Sequence, residues 1–93
     1  MKGVKALKAV AHGRVQMVMY RDYAQRKARK LGIVGTVRNV PDGTVEVIAE
    51  GEDAVLRDYI ERLKRGSILS KVTALEVTWQ LPTRLFHDFT ILY

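Results

Sequence analysis

Two periods of hydrophobic and polar residues follow one another along the chain, and the change from one to the other marks its elements. In residues 4–12 a period of two places Leu7, Ala9 and Ala11 on one face and Lys8 and His12 on the other, which predicts a strand. From about Tyr20 to Leu31 the apolar residues recur every three to four positions, which predicts a helix with one buried stripe. Gly13 separates the two elements, and Gly32 ends the helix as a glycine after a last apolar residue usually does.

The middle of the chain predicts a β-hairpin and a second helix. Two short strands are expected near 34–40 and 44–50, joined by the turn signal Pro41-Asp42-Gly43. The second helix opens at Gly51-Glu52-Asp53, where carboxylates suit the helix dipole, and ends at Lys64-Arg65-Gly66. Its apolar face consists of Val55, Leu56, Tyr59, Ile60 and Leu63.

Two more strands complete the order. Apolar residues alternate through Leu75, Val77, Trp79 and Leu81, and then through Phe89, Ile91 and Tyr93. The resulting order is βαββαβ with a short C-terminal strand, which is either added to the sheet or paired as a hairpin. Two helices of this length cover one face of a small sheet. We therefore predict an α+β fold, a ferredoxin-like two-layer α/β sandwich with an antiparallel sheet, in one domain over residues 1–93, with Tyr59 and Trp79 in its core.

The composition of the chain excludes several classes of protein. A hydrophobic content of 47% indicates a folded chain, and 93 residues suffice for one core. Without cysteine, neither a disulfide framework nor a thiolate metal site is available. No apolar run approaches the roughly 20 residues of a membrane span, and the basic N-terminal region does not resemble a signal peptide. We expect a cytoplasmic protein with no membrane partner, whose net charge of +6 favours anions.

The segment between the first strand and the first helix is the candidate site. A strand that feeds a helix N-terminus through a tight loop points several backbone N–H groups in one direction, which suits a phosphate group. Arg21, in the first helical turn, can add its planar guanidinium, although a lone arginine there is often only solvated. Asn39, just before the hairpin turn, is a second candidate, with a turn asparagine bonded to its own backbone as the alternative. His12 and His87 have no partner at ligand spacing, so no metal site is expected.

Two motifs carry a resemblance to a known family. Gly13-Arg14-Val15-Gln16, with Val18 and Tyr20-Arg21, resembles the acylphosphatase signature G-R-V-Q-G-V-x-[FY]-R. The second signature, G-x-x-G-x-V-x-N, is matched by Gly32, Gly35, Val37 and Asn39. The element order is also that of the family, so the resemblance covers essentially the whole chain.

The resemblance implies a reaction and a set of site residues. Acylphosphatases hydrolyse a carboxyl-phosphate anhydride without metal or cofactor. By this resemblance Arg21 holds the phosphoryl group and Asn39 orients the attacking water. The phosphate cradle is then formed by backbone N–H groups of Arg14, Val15, Gln16, Met17, Val18 and Met19. The implied partners are a small acyl phosphate and inorganic phosphate or sulfate as product or inhibitor, and a monomer is expected.

Met17 and Met19 depart from the signature, which has glycine at the first of these positions and often a small residue at the second. If Met17 needs a positive φ, its side chain costs about 1–2 kcal/mol. The two methionines therefore leave open the alternative that this chain is a weakly active or inactive relative of the acylphosphatases that only binds anions. A third alternative, a small nucleic-acid-binding module, rests on the net charge, but the predicted open sheet face offers few aromatic residues for base stacking.

Overall fold

The computed structural model describes residues 3–93 and contains a five-stranded sheet and two helices. The elements are β1 (Val4–Arg14), α1 (Tyr20–Lys30), β2 (Val34–Asn39), β3 (Val45–Glu52), α2 (Asp53–Arg65), β4 (Lys71–Gln80) and β5 (Phe89–Leu92). The predicted order and the ferredoxin-like α+β fold are therefore confirmed. In residues 3–93 no helix is both long enough and apolar enough to span a membrane.

The sheet is mixed rather than wholly antiparallel. Its strand order is β4-β1-β3-β2-β5, and β1 pairs in antiparallel fashion with both β3 and β4. The last strand does not form a hairpin with β4; it crosses to the opposite edge and pairs in parallel with β2. This crossing places the end of the chain beside the end of β2. Of the two options for the last strand, addition to the sheet is the one that occurs.

The core lies between the two helices and one face of the sheet. Leu7, Ala9 and Ala11 of β1 are buried, as the alternation in the sequence predicts. The helices contribute Tyr20, Tyr23, Ala24 and Ala28 from α1 and Leu56, Tyr59 and Leu63 from α2. The Tyr59 hydroxyl donates to the Ala24 carbonyl at 2.8 Å, so its one polar group is satisfied inside the core.

Three details differ from the predictions. Trp79 is 39% exposed and lies on the edge strand β4, where the Arg57 guanidinium lies over its ring at 5.1 Å from the centroid. β1 continues through Gly13 to Arg14, with a register shift at His12/Gly13 in its pairing with β4. His12 is also not isolated, since its ring contacts the Glu76 carboxylate across the sheet.

Candidate active site

The loop from Val15 to Met19 joins β1 to α1 and turns twice through the left-handed region. Met17 and Met19 have φ values of 62° and 61°. Their side chains are 99% and 68% exposed, whereas Val15 is buried in the core. The loop therefore keeps its tight path with methionine at both positions, and their side chains lie on its outer surface.

Backbone donors are concentrated along this loop and the first turn of α1. Within residues 3–93, no backbone N–H from Val15 to Asp22 donates to a protein acceptor; the first such bond is from Tyr23 N–H to the Met19 carbonyl, at 3.0 Å. The helix dipole adds partial positive charge at the same place. Unpaired N–H groups at a helix N-terminus form a ready anion site, since their hydrogen-bonding capacity is otherwise unused.

Arg21 projects from the first turn of α1 into a cleft of about 380 Å³. The cleft is lined by the loop, the start of α1 and the end of the chain: Val15, Met17, Met19, Arg21, Ile91 and Tyr93. The Arg21 guanidinium lies 5.1 Å from the centroid of the Tyr93 ring and has no carboxylate within ion-pair distance among residues 3–93. A guanidinium held against an aromatic face keeps its hydrogen-bond donors available for an anion.

Asn39 is the last residue of β2 and pairs with Val45 of β3. Its carboxamide oxygen Oδ1 is buried and has no hydrogen-bond partner among the described residues. An unpaired buried oxygen costs about 1–3 kcal/mol, so such atoms often mark a place where water or a ligand binds. The turn that follows is instead closed by Asp42, whose Oδ1 accepts hydrogen bonds from the Thr44 hydroxyl at 2.6 Å and from the Thr44 N–H at 2.9 Å. These bonds from Thr44 hold the pKa of the Asp42 carboxyl below its usual value.

Gln16 connects the loop to the hairpin that carries Asn39. Its side-chain amide donates to the carbonyls of Val40 and Thr44, at 2.8 Å each. The parallel register of β5 pairs Arg38 with Leu92, so the next residue, Tyr93, comes alongside Asn39. Asn39 is not among the residues that line the 380 Å³ cleft, and the Gln16 side chain joins the loop to the carbonyl of its neighbour Val40.

The loop, Arg21 and Asn39 stay predicted site residues, and the sequence did not indicate two further contacts beside them. Gln16 was expected to act only through its backbone N–H, whereas its side chain bridges to residues 24 and 28 positions away. Tyr93 was assigned to a last strand with no role at the site. Neither the Gln16 contacts nor the position of Tyr93 is indicated by a sequence pattern, because both depend on which strands become neighbours in the sheet.

The start of α1 is held from the other side by α2. The hydroxyl of Tyr20 donates to the Leu63 carbonyl at 2.7 Å, and that of Tyr23 to the Arg62 carbonyl at 2.8 Å. Burial raises the pKa of Tyr20 far above its usual value, so this phenol stays neutral and structural. No group of three or more His, Asp or Glu side chains suited to a metal ion occurs in the part of the chain that the structure describes.

Known proteins are similar to this chain in both sequence and fold. Residues 7–91 match the acylphosphatase family profile. An acylphosphatase of Thermus thermophilus is 49% identical over 73 residues, which cover 78% of this chain and 83% of the relative. An acylphosphatase of Methylococcus capsulatus is 42% identical over 89 residues, or 96% and 97% of the two chains. The crystal structure of acylphosphatase from Bacillus subtilis superposes with a TM-score of 0.92 at 38% identity, covering 96% of this chain and 99% of that one. On sequence and on fold alike, this chain belongs to the acylphosphatase family.

Proposed function

We propose that residues 1–93 act as one acylphosphatase domain, which hydrolyses the carboxyl-phosphate bond of small acyl phosphates to a carboxylate and inorganic phosphate. The observation that carries this proposal is the row of backbone N–H groups from Val15 to Asp22, unpaired within residues 3–93, in front of the Arg21 guanidinium. Family membership supports the reaction, and the loop and arginine supply its physical basis.

In this proposal the cradle and Arg21 share the phosphoryl group. The N–H groups of Arg14 to Met19 and the dipole of α1 neutralise its equatorial oxygens, and the Arg21 guanidinium binds two of them with its planar fork. Phosphoryl transfer depends mainly on positioning and charge stabilisation, so preformed donors supply most of what the transition state needs. Tyr93 limits the orientations of the arginine by stacking on it.

Asn39 orients the attacking water. Its buried Oδ1, without a protein partner among residues 3–93, accepts a hydrogen bond from the water and aims an oxygen lone pair at phosphorus. The water oxygen forms the new P–O bond, the bond to the carboxylate oxygen breaks, and the water releases its protons to solvent and phosphate. The leaving group needs no general acid, because the conjugate acid of a carboxylate has a pKa of about 4. A metal ion has no assigned role, and we expect turnover to be unchanged by EDTA.

The central test compares Arg21→Ala with Arg29→Ala, an exposed arginine on the same helix whose guanidinium pairs with Asp88. With benzoyl phosphate, Arg21→Ala is expected to lower kcat/KM by about 10²–10³, the loss seen for one oxyanion donor, and Arg29→Ala to keep the wild-type value. Inorganic phosphate should inhibit the wild type competitively and the Arg21 variant much less. A folded Arg21→Ala protein with wild-type turnover would refute the proposal.

Nucleic-acid binding finds less support. The open face of the sheet carries Lys8 and Arg38, but both contact the Glu46 carboxylate, at 3.5 and 3.1 Å. Arg38 and Lys8 hold the pKa of Glu46 below its usual value, so the carboxylate stays charged and offsets one of the two positive charges. A monomeric state, inhibition by sulfate and a cytoplasmic location remain predictions, which sedimentation, inhibition kinetics and cell fractionation can test.

A further inference from the structure

A second cavity adjoins the candidate phosphate site. It is a groove of about 620 Å³ between α1, the end of α2 and the connection from α2 to β4. Met19 and Asp22 line both this groove and the 380 Å³ cleft. The two cavities therefore share a border formed by these two residues.

The far wall of the groove exposes two large apolar side chains. Ile68 is 100% and Leu69 61% exposed, at the tip of the connection between α2 and β4. Their exposure is built into the turn: the Ser70 N–H donates to the Ser67 carbonyl at 3.1 Å, and the Ser67 N–H donates to the Ser70 hydroxyl at 2.8 Å. Tips of turns normally carry Gly, Asn, Asp or Ser, so an Ile-Leu pair held there has no local structural purpose.

The charged residues on the rim of the groove are mostly engaged with neighbours. Arg26 pairs with Asp22 at 2.9 Å, and Arg62 pairs with Asp58 at 3.3 Å. Lys27 lies over the ring of Tyr23, 5.6 Å from its centroid. Lys27 and Arg65, which also lines the groove, have no acidic partner within residues 3–93. What the groove offers next to Met19 is therefore an apolar surface whose rim carries two uncompensated positive charges.

The strand order gives the direction in which the leaving group departs. In a phosphoryl transfer the attacking and leaving oxygens lie roughly in line on opposite sides of phosphorus. The loop follows β1, which lies between β4 on one side and β3 and β2 on the other. Asn39 ends β2, so a water held there attacks from that side and the acyl group leaves toward β4. The groove and its Ile68-Leu69 tip lie on this side.

We propose that the groove bounded by Met19, Ile68 and Leu69 binds the hydrocarbon part of the substrate's acyl group, so that the preferred substrates are acyl phosphates with extended apolar chains. The proposal rests on the proposed function, because the acyl group of a substrate whose phosphoryl group is held in the cradle lies next to that cradle, and Met19 borders both cavities. Binding of the chain is the same in ground and transition states, and its effect therefore falls on KM rather than kcat.

The test compares acetyl phosphate with hexanoyl phosphate. Burying two of the four additional methylenes lowers KM about tenfold for the wild type. The double variant Ile68→Ser with Leu69→Ser should lose most of this preference. Leu81→Ser is the matched control, since Leu81 is 91% exposed and follows the end of β4 that pairs with the start of β1, away from the cradle. It should keep the wild-type ratio of KM values.

Several results would overturn the inference. Equal KM values for both substrates in the wild type would do so, as would a ratio unchanged by the double serine variant. A preference for the six-carbon acyl phosphate that ends in a carboxylate would show that the cations of the rim, not the apolar wall, select the substrate. A wild-type dimer that the double variant converts to monomer in sedimentation would show that a second copy covers the groove. Hydrolysis of acetyl phosphate that depends on Arg21 separates failure of the groove from failure of the proposed function; if acetyl phosphate is not hydrolysed, both fall.

Discussion

Met17 permits a direct test of whether the loop of this chain is strained and whether it works. Its φ is 62°, and its side chain is 99% exposed. A side chain in the left-handed region costs about 1–2 kcal/mol, and Met17→Gly removes that cost without loss of buried contacts. Glycine also increases the entropy of the unfolded chain, which opposes the gain by about 0.4–1 kcal/mol. The net effect of Met17→Gly is a stabilisation between about 0 and 1.6 kcal/mol. Each kcal/mol raises Tm by roughly 4–8 °C in a domain of this size.

Activity should respond differently from stability. The loop already follows its tight path with methionine in place, and its N–H groups point to no other acceptor within residues 3–93. Met17→Gly supplies the same N–H, so kcat on acetyl phosphate should stay within a small factor of the wild type. If methionine instead misdirected one donor, restoring glycine would raise the rate by about 10²–10³.

Urea denaturation and acetyl phosphate turnover, measured on the same preparations, decide between these outcomes. Met17→Ala is the matched control because it removes the thioether chain but retains the Cβ at positive φ. We expect Met17→Gly to be more stable than Met17→Ala by about 1 kcal/mol. A Met17→Gly protein less stable than Met17→Ala would refute the strain argument. A rate increase of a hundredfold or more in Met17→Gly would favour the weakly active relative over a working cradle.

Three other variants and conditions test the remaining contacts. Gln16→Met removes two hydrogen bonds to backbone carbonyls; we expect a loss of about 1–3 kcal/mol in urea denaturation and a lower kcat, because the link to the Asn39 hairpin is broken. Gly35→Ala should cost about 1–3 kcal/mol or more in the same assay, since a Cβ there would overlap the Ile48 carbonyl; wild-type stability would contradict the close approach of β2 and β3 at this position. Burial raises the pKa of both Tyr20 and Tyr59. At alkaline pH the two phenols therefore stay neutral in the folded protein, whereas they ionise in the unfolded chain. Their contribution to the free energy of unfolding is complete below about pH 10 and is lost above it at up to about 1.4 kcal/mol per pH unit for each tyrosine. In a pH series of urea denaturations, Tyr59→Phe should make this loss of stability with pH less steep.

The order of helices and strands was predictable because each element is indicated by the apolar pattern of its own residues. The alternation of Leu7, Ala9 and Ala11 fixes which face of β1 is buried, whatever else the chain does. The same pattern does not say how deeply a residue is covered. Trp79 shares the inner face with Leu7 across the β1–β4 pairing, yet it lies on an edge strand where the helices leave it partly uncovered. The position of β5 in the sheet could not be predicted from the sequence either, since its parallel pairing with β2 depends on how the whole sheet is arranged.

At the candidate site, the sequence indicated the loop and Arg21 because helix N-termini bind anions for reasons independent of the fold. For Asn39 it left open a bond to the asparagine's own backbone. The structure shows no such bond for its Oδ1 within residues 3–93, and Asp42 closes the turn instead. The side-chain bond from Gln16 to the Val40 carbonyl could not be anticipated, because it spans 24 residues and joins segments that meet only in the folded sheet.

The glycines of the two signatures serve two physical purposes, and this explains how the chain can depart from one of them. At Gly13 and Gly35 an added Cβ would overlap the backbone carbonyls of Lys71 and Ile48, so the requirement is space between strands and no rotation of a side chain can meet it. At position 17 the requirement is only a positive φ, with open solvent around the side chain. A residue with a Cβ can satisfy that at about 1–2 kcal/mol, a cost that a folded domain can absorb. A mismatch at position 17 therefore says little about whether the cradle forms, whereas a mismatch at position 13 or 35 would force the sheet behind it to move.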